Sequence, residues 1–92
     1  MKVVWLEAAV ADLEAARRYI SQDNPEAAAR VAQRILEAVA LLATAPAMGR
    51  PGRISGTREL VVTGTPYIIP YRVQANKLEL LRVYHAHRRW PP

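Results

Sequence analysis

Residues 58–85 read RELVV (58–62), TGTP (63–66), YIIPYRV (67–73), QANK (74–77) and LELLRVYH (78–85). Three short runs rich in Val, Ile, Leu and Tyr alternate with two four-residue turns, which is how strands joined by tight connections look in a sequence. Connections this short bring the chain back alongside itself, so the spacing predicts a three-stranded antiparallel meander. Asn76 in the second turn tolerates a positive φ. Pro70 interrupts the middle run. It has no amide to donate, so that strand must carry a bulge or point the position off the ladder.

Working outward toward the N-terminus, residues 46–57 (PAMGRPGRISGT) are rich in Pro and Gly and form the longest loop. Before it lies an alanine-rich stretch from Pro25 to about Ala43. Asn24-Pro25-Glu26 opens it with a capping side chain, a proline suited to the first helical position and an acid facing the positive end of the helix dipole. Ala28, Val31, Ile35, Val39 and Leu42 form its apolar stripe. A first helix is expected from Ala8 to Ile20, with Val10, Leu13 and Ile20 at helical spacing, and Ser21–Asn24 breaks it. Lys2–Leu6 (KVVWL) reads as a strand. The order is β-α-α-β-β-β. The two helices make a hairpin too alanine-rich to form a core alone, so they must lie on the sheet. The fold class expected is α+β: an antiparallel sheet covered on one face by an N-terminal helical hairpin, its other face partly open and basic.

Length and composition narrow the class further. Ninety-two residues are enough for one domain, 1–92, and 51% hydrophobic residues argue against disorder. No apolar run approaches the roughly 18 residues that a membrane span requires, so no membrane association is expected. Glu7 and Asp12 fall where a secretory signal needs an unbroken apolar stretch, which makes the cytoplasm the expected location. The chain has no cysteine, which removes disulfides, thiolate metal sites and a catalytic thiol. Its two histidines do not suffice for a closed zinc site, and no metal or other cofactor is expected.

Net charge is +5, and its placement is uneven. Residues 1–46 carry 5 basic and 6 acidic side chains, whereas residues 47–92 carry 8 basic and 2 acidic. A half-chain of net +6 points to a polyanionic or acidic partner. The abundance of Arg over Lys also fits a coding bias, although such a bias does not explain the one-sided placement.

One ordered set of residues resembles a known family. Asn24-Pro25 precedes the alanine-rich helix, and Leu42 and Pro46 lead into Gly49-Arg50-Pro51-Gly52-Arg53. Gly56-Thr57-Arg58-Glu59-Leu60, Pro66-Tyr67, Tyr71-Arg72-Val73 and Leu81-Arg82-Val83 follow, and the chain closes on His85, Arg88 and Trp90-Pro91. Over nearly its whole length the chain resembles the RelE/ParE toxin superfamily of bacterial type II toxin–antitoxin modules. The resemblance implies a growth-inhibiting toxin neutralised by a cognate acidic antitoxin whose disordered segment wraps it. It leaves two activities open. RelE-like members cleave messenger RNA in the ribosomal A site, and ParE-like members inhibit DNA gyrase without being nucleases.

Metal-free RNA cleavage needs a proton acceptor for the 2′-OH, positive charge around the phosphate and a donor to the leaving oxygen. Under the RelE-type reading, taken first, the chain is a metal-independent endoribonuclease acting on ribosome-bound message. Its catalytic candidates are Arg82, His85, His87 and Arg58, and its phosphate-binding candidates are Arg50, Arg53, Arg72, Arg88 and Arg89. Each has a structural alternative. Arg58 fits half of a cross-strand ion pair, Arg72 a solvated sheet face, and His85 a hydrogen-bonded strand end. His87, Arg88 and Arg89 fit plain surface positions, and Trp90 an anchor for the tail. Arg82, among Leu80, Leu81 and Val83, demands an anionic partner of some kind. Glu59, Val61 and Ile68 stand where RelE itself has basic residues, so the RelE catalytic set is not carried over intact. The alternative is a non-catalytic gyrase inhibitor. A third reading is an RNA-binding or interaction domain that has kept the fold and lost the toxicity.

Overall fold

Asn24 caps its helix as the sequence implies: its side-chain oxygen accepts the Ala27 amide at 3.1 Å, and Pro25 occupies the first helical position. The computed structural model describes residues 1–92. It places β1 at Lys2–Trp5, α1 at Glu7–Ser21, α2 at Pro25–Thr44, β2 at Arg50–Pro51, β3 at Arg58–Val61, β4 at Tyr67–Gln74, β5 at Lys77–Leu80 and β6 at Tyr84–His85. α1 has no side-chain cap. The strand β1 runs directly into it, and the Leu6 carbonyl accepts from Ala9 and Val10. The two helices pack as an antiparallel hairpin on one face of the sheet, and the core between them holds Ile35, Val39, Leu42, Leu60, Ile69, Tyr71, Leu78 and Leu80.

The α+β class holds. The sheet order is β1-β5-β4-β3-β2, with β6 beside β4 beyond the end of β5. The meander β3-β4-β5 is antiparallel as expected. One pair departs from an all-antiparallel sheet: β1 lies parallel to β5, with Lys2 opposite Lys77 and Trp5 opposite Leu80. The helical hairpin makes this possible. It carries the chain away from β1 and across the sheet, leaving the free edge of β5 for a strand running the same way. The long loop also contains more structure than its Pro and Gly content implies, because β2 adds two residues to the edge of β3.

A bulge does form at Pro70, but in the facing strand rather than in the proline's own. Tyr71 lies opposite Leu80, but Ile68 lies opposite Tyr84, so three steps along β4 face four steps from β5 to β6. The extra residue falls in Leu81–Val83, beside the proline that cannot donate. Only the Pro70 carbonyl is used there, accepting from Leu81 at 2.9 Å. The expected single strand 78–85 is therefore two strands, and between them Leu81 still donates to β4 while Val83 turns its amide away from it.

At the second turn Ala75 and Asn76 have φ of 50° and 60°, a pair of left-handed residues as in a type I′ hairpin. In the long loop Tyr71 acts as a pin. Its hydroxyl donates to the Pro46 carbonyl at 2.6 Å and accepts the Gly49 amide at 2.9 Å. Gly49 must lack a side chain, since a Cβ there would lie 2.5 Å from that hydroxyl. No helix is long and apolar enough to cross a membrane.

Candidate functional site

The bulge at 81–83 decides what Arg82 does. Released from β4, the Val83 amide donates to Asp12 Oδ2 on α1 at 3.0 Å. Arg82 donates to the same carboxylate twice, from Nε to Oδ2 at 2.7 Å and from Nη2 to Oδ1 at 3.0 Å. This bond to Asp12 raises the guanidinium pKa further, partly offset by burial. Asp12 thus ties the first helix to the last part of the sheet, and the partner that Arg82 demands lies within the chain.

The other arginines proposed for phosphate are similarly engaged. Arg58 is on the helix-side face of β3 and donates to the carbonyls of Gly49 at 2.8 Å and Ala47 at 3.3 Å, holding the loop rather than pairing with an acid. Glu59, on the opposite face and only 1% exposed, accepts from Arg50 Nη2 at 3.2 Å and from the Arg53 amide at 3.0 Å. Arg72 sits opposite Glu79 in the β4–β5 register and bonds it at 2.6 Å. Much of the positive half-chain is neutralised by Asp12, Glu59 and Glu79. Arg88 and Arg89 are exposed and make no ion pair with the chain's own acids.

The tail covers one end of the helix-free face. Trp90 stacks on Tyr84 with centroids 5.5 Å apart, and its carbonyl accepts from Arg53 Nη1 at 2.9 Å. The Arg82 guanidinium stands 5.9 Å from the Trp90 ring. Trp90 is a tail anchor, in keeping with the alternative given for it. Two buried donors, the Tyr84 hydroxyl and Trp90 Nε1, have no acceptor within the chain. Burial, with the nearby Glu59 carboxylate, pushes the Tyr84 phenol pKa up.

His85 and His87 stand on the other side of the tail. Their rings stack at 5.0 Å, and His85 Nδ1 accepts the His87 amide at 3.1 Å. That bond fixes Nδ1 as an unprotonated acceptor and leaves Nε2 as the nitrogen free to act. His85 also meets Tyr67 edge-on at 5.6 Å. Together they border a cleft of about 510 Å³ between α1 and the chain end, with Ala15 and Ala16 on the helix side and Tyr19, Tyr67 and Arg88 around it. Tyr19 is 73% exposed and belongs to this cleft.

The nine candidate residues therefore do not converge. His85, His87 and Arg88 come together at the cleft, while Arg50 and Arg53 cluster on the helix-free face around Glu59. Arg58 and Arg72 lie apart, Arg89 is exposed in the tail, and Arg82 is held by Asp12. Sequence reasoning missed Tyr19 and Tyr67 as cleft residues and Asp12 as the partner of Arg82. No local signal singles out Asp12, which is one of three acids on α1. No group of three or more His, Asp or Glu side chains is arranged to hold a metal ion.

The family described as the ParE toxin of type II toxin–antitoxin system, parDE, matches residues 3–90. The chain is 51% identical over 90 residues to Y4kP of Sinorhizobium fredii, covering 98% of this chain and 93% of that one. It is 44% identical over 87 residues to the toxin RelE2 of Caulobacter vibrioides, covering 95% and 97%. Among solved structures, a chain of the chromosomal ParDE system from P. aeruginosa superposes with a TM-score of 0.83 at 32% identity, covering 92% of this chain and 95% of that one.

Proposed function

The chain belongs to the ParE family of toxins of type II toxin–antitoxin systems, and on that premise we propose that it inhibits growth by the ParE-type route, binding DNA gyrase without cutting RNA. As the toxin of such a module it has a cognate antitoxin as partner. The observation that carries the non-nucleolytic reading is the engagement of Arg82. Two bonds to Asp12 satisfy the guanidinium that would otherwise face a phosphate, and breaking them to receive a phosphate would leave a half-buried carboxylate unpaired. The guanidinium groups of Arg50, Arg53, Arg58 and Arg72 are likewise bonded to acids or carbonyls of the chain, that of Arg53 to the Trp90 carbonyl. A metal-free nuclease needs cations preorganised toward the reacting phosphate, and these are preorganised toward the protein itself.

A second reading rests on one feature. The stacked His85–His87 pair, with a free Nε2 and the unpaired Arg88 nearby, is the one place where a proton-transfer group and a cation meet. It keeps ribosome-dependent cleavage as the alternative. One preparation of purified protein tests both. It is added to a translation extract, with message integrity followed by primer extension, and to a gyrase supercoiling assay. Blocked supercoiling with intact message is the expected result. Cleaved message with normal supercoiling would transfer the activity to the histidine pair.

A further inference from the structure

The cleft between α1 and the chain end presents a phenol donor that the chain itself does not use. Tyr67 lines the cleft, its backbone amide is satisfied by Thr65, and its hydroxyl makes no hydrogen bond within the chain. A phenol donor that opens into the cleft is available to whatever enters. Its surroundings specify the chemistry. Arg88 and Tyr19 line the same cleft as the Tyr67 phenol. Neither Arg88 nor His87 is neutralised by a carboxylate of the chain, whereas Asp12 at the cleft edge is fully used by Arg82 and Val83. On the helix side Ala15 and Ala16 keep the wall flat. The exposed ring of Tyr19 and the stacked imidazoles line the cleft beside that wall.

We propose that this cleft binds a phosphorylated nucleoside, with the base between Tyr19 and the His87 ring over the alanine wall and the phosphate on Arg88 and the Tyr67 hydroxyl. A planar aromatic ring is what two flanking π faces and a methyl-sized floor accommodate, and a doubly charged phosphate is what a free guanidinium beside a phenol donor recognises. The cleft volume, about 510 Å³, is within the range of small-molecule sites. The same chemistry is presented by a free mononucleotide and by the phosphorylated end of a single strand. The site is distinct from the gyrase reading and does not depend on it.

Titration of the full chain with adenosine monophosphate, followed by NMR of the two imidazoles and by calorimetry, tests the assignment. Saturable binding is expected, with both ring signals shifting together. Ribose phosphate, which lacks the base, should bind at least about tenfold more weakly, as should the Tyr19→Ala and Arg88→Gln variants against the nucleotide. Tyr67→Phe should weaken binding while leaving the melting temperature close to wild type, and Arg30→Gln on the exposed side of α2 should change nothing. A 5′-phosphorylated tetranucleotide that binds much more tightly than the monomer assigns the site to strand ends, and equal affinity assigns it to free nucleotide. Absence of saturable shifts at millimolar nucleotide overturns the proposal. Equal binding of ribose phosphate also overturns it, since that marks a simple cationic patch. So does displacement of the same rings by an acidic peptide that the nucleotide cannot match, since that marks a protein partner's site.

Discussion

Asp12 and Arg82, 70 residues apart in the chain, form a bidentate ion pair at 2.7 and 3.0 Å, and the same carboxylate accepts the Val83 amide at 3.0 Å. Pro70 is the distant cause. By withholding a donor from the segment between β5 and β6 it favours the bulge that lets Val83 turn toward α1. One proline in the middle of the sheet thus determines how the first helix is fastened to the last strand, and it converts an arginine that reads as catalytic into a tie between layers.

Removing either partner of that tie should destabilise the fold. Asp12→Ala leaves the Val83 amide and a partly buried guanidinium without acceptors. Charged hydrogen bonds of this kind contribute about 1.5–3 kcal/mol, and the one-third exposure of Arg82 brings the expected loss down to about 1–2 kcal/mol. In a domain this small that corresponds to a fall in melting temperature of roughly 5–15 °C. Arg82→Ala should cost a similar amount, and the double variant less than the sum, because the two residues share the interaction. Thermal melts of the four proteins measure this directly. An Arg82→Ala protein that melts like wild type but loses toxicity would return the arginine to the functional surface.

Local signals in the sequence carried most of the fold. The Asn24 cap, the helical stripe Val31–Ile35–Val39–Leu42, the alternation in 67–73 and the Pro70 bulge all depend on neighbours within a few residues, so they are readable without a structure. Features that depend on distant pairing were not readable. The direction of β1 follows from which sheet edge remains free, and the partner of Arg82 lies at the other end of the chain. Arg58 looks like a phosphate ligand because arginine is always charged, yet it bonds only loop carbonyls, and no side-chain pattern announces a carbonyl. The site suffered more than the fold for this reason: charge in a sequence does not reveal which acid has already claimed it.

The pin formed by Tyr71 gives a second expectation. Tyr71→Phe removes the acceptor of the buried Gly49 amide and the donor to the Pro46 carbonyl. Leaving such groups unsatisfied costs about 1–3 kcal/mol. Gly49→Ala should cost at least as much, because the new Cβ would stand 2.6 Å from a ring carbon as well as against the hydroxyl. Combining the two should relieve only part of the clash, since the ring carbon remains. Urea unfolding curves at constant m-value separate these outcomes.

The β4–β5 turn offers a stabilising change. Ala75 occupies a left-handed conformation, which costs a residue with a Cβ about 1 kcal/mol relative to glycine. Replacing Ala75-Asn76 by Asn-Gly matches what a type I′ turn favours and should raise stability by about 1 kcal/mol. Ala75→Val should lower it, since branching at Cβ worsens the same contact. Melting temperatures of the two variants, moving in opposite directions, check the turn assignment.

Alkaline pH should weaken the protein through its buried phenols. Burial is the main cause that raises the pKa values of Tyr67, Tyr71 and Tyr84 above the ordinary 10.0. Glu59 adds to it at Tyr84, whereas the Gly49 amide and Arg58 oppose it at Tyr71. A phenol that holds its proton more tightly when folded contributes stability that is complete below pH 10, the unfolded value, and that is lost as pH rises toward the folded one. The melting temperature should therefore be flat in this respect near neutrality and fall steeply above pH 10, with phenolate absorbance appearing later in the folded chain than in concentrated guanidinium. Phenylalanine variants should divide the effect. Tyr84→Phe discards a buried hydroxyl that has no acceptor in the chain, so it should be neutral or stabilising near neutral pH and should flatten the alkaline slope. Tyr71→Phe should flatten the slope as well, but from a less stable starting point, because that hydroxyl is bonded on both sides. Equal stability of the two variants at neutral pH would mean that the Pro46–Tyr71–Gly49 pin contributes nothing net.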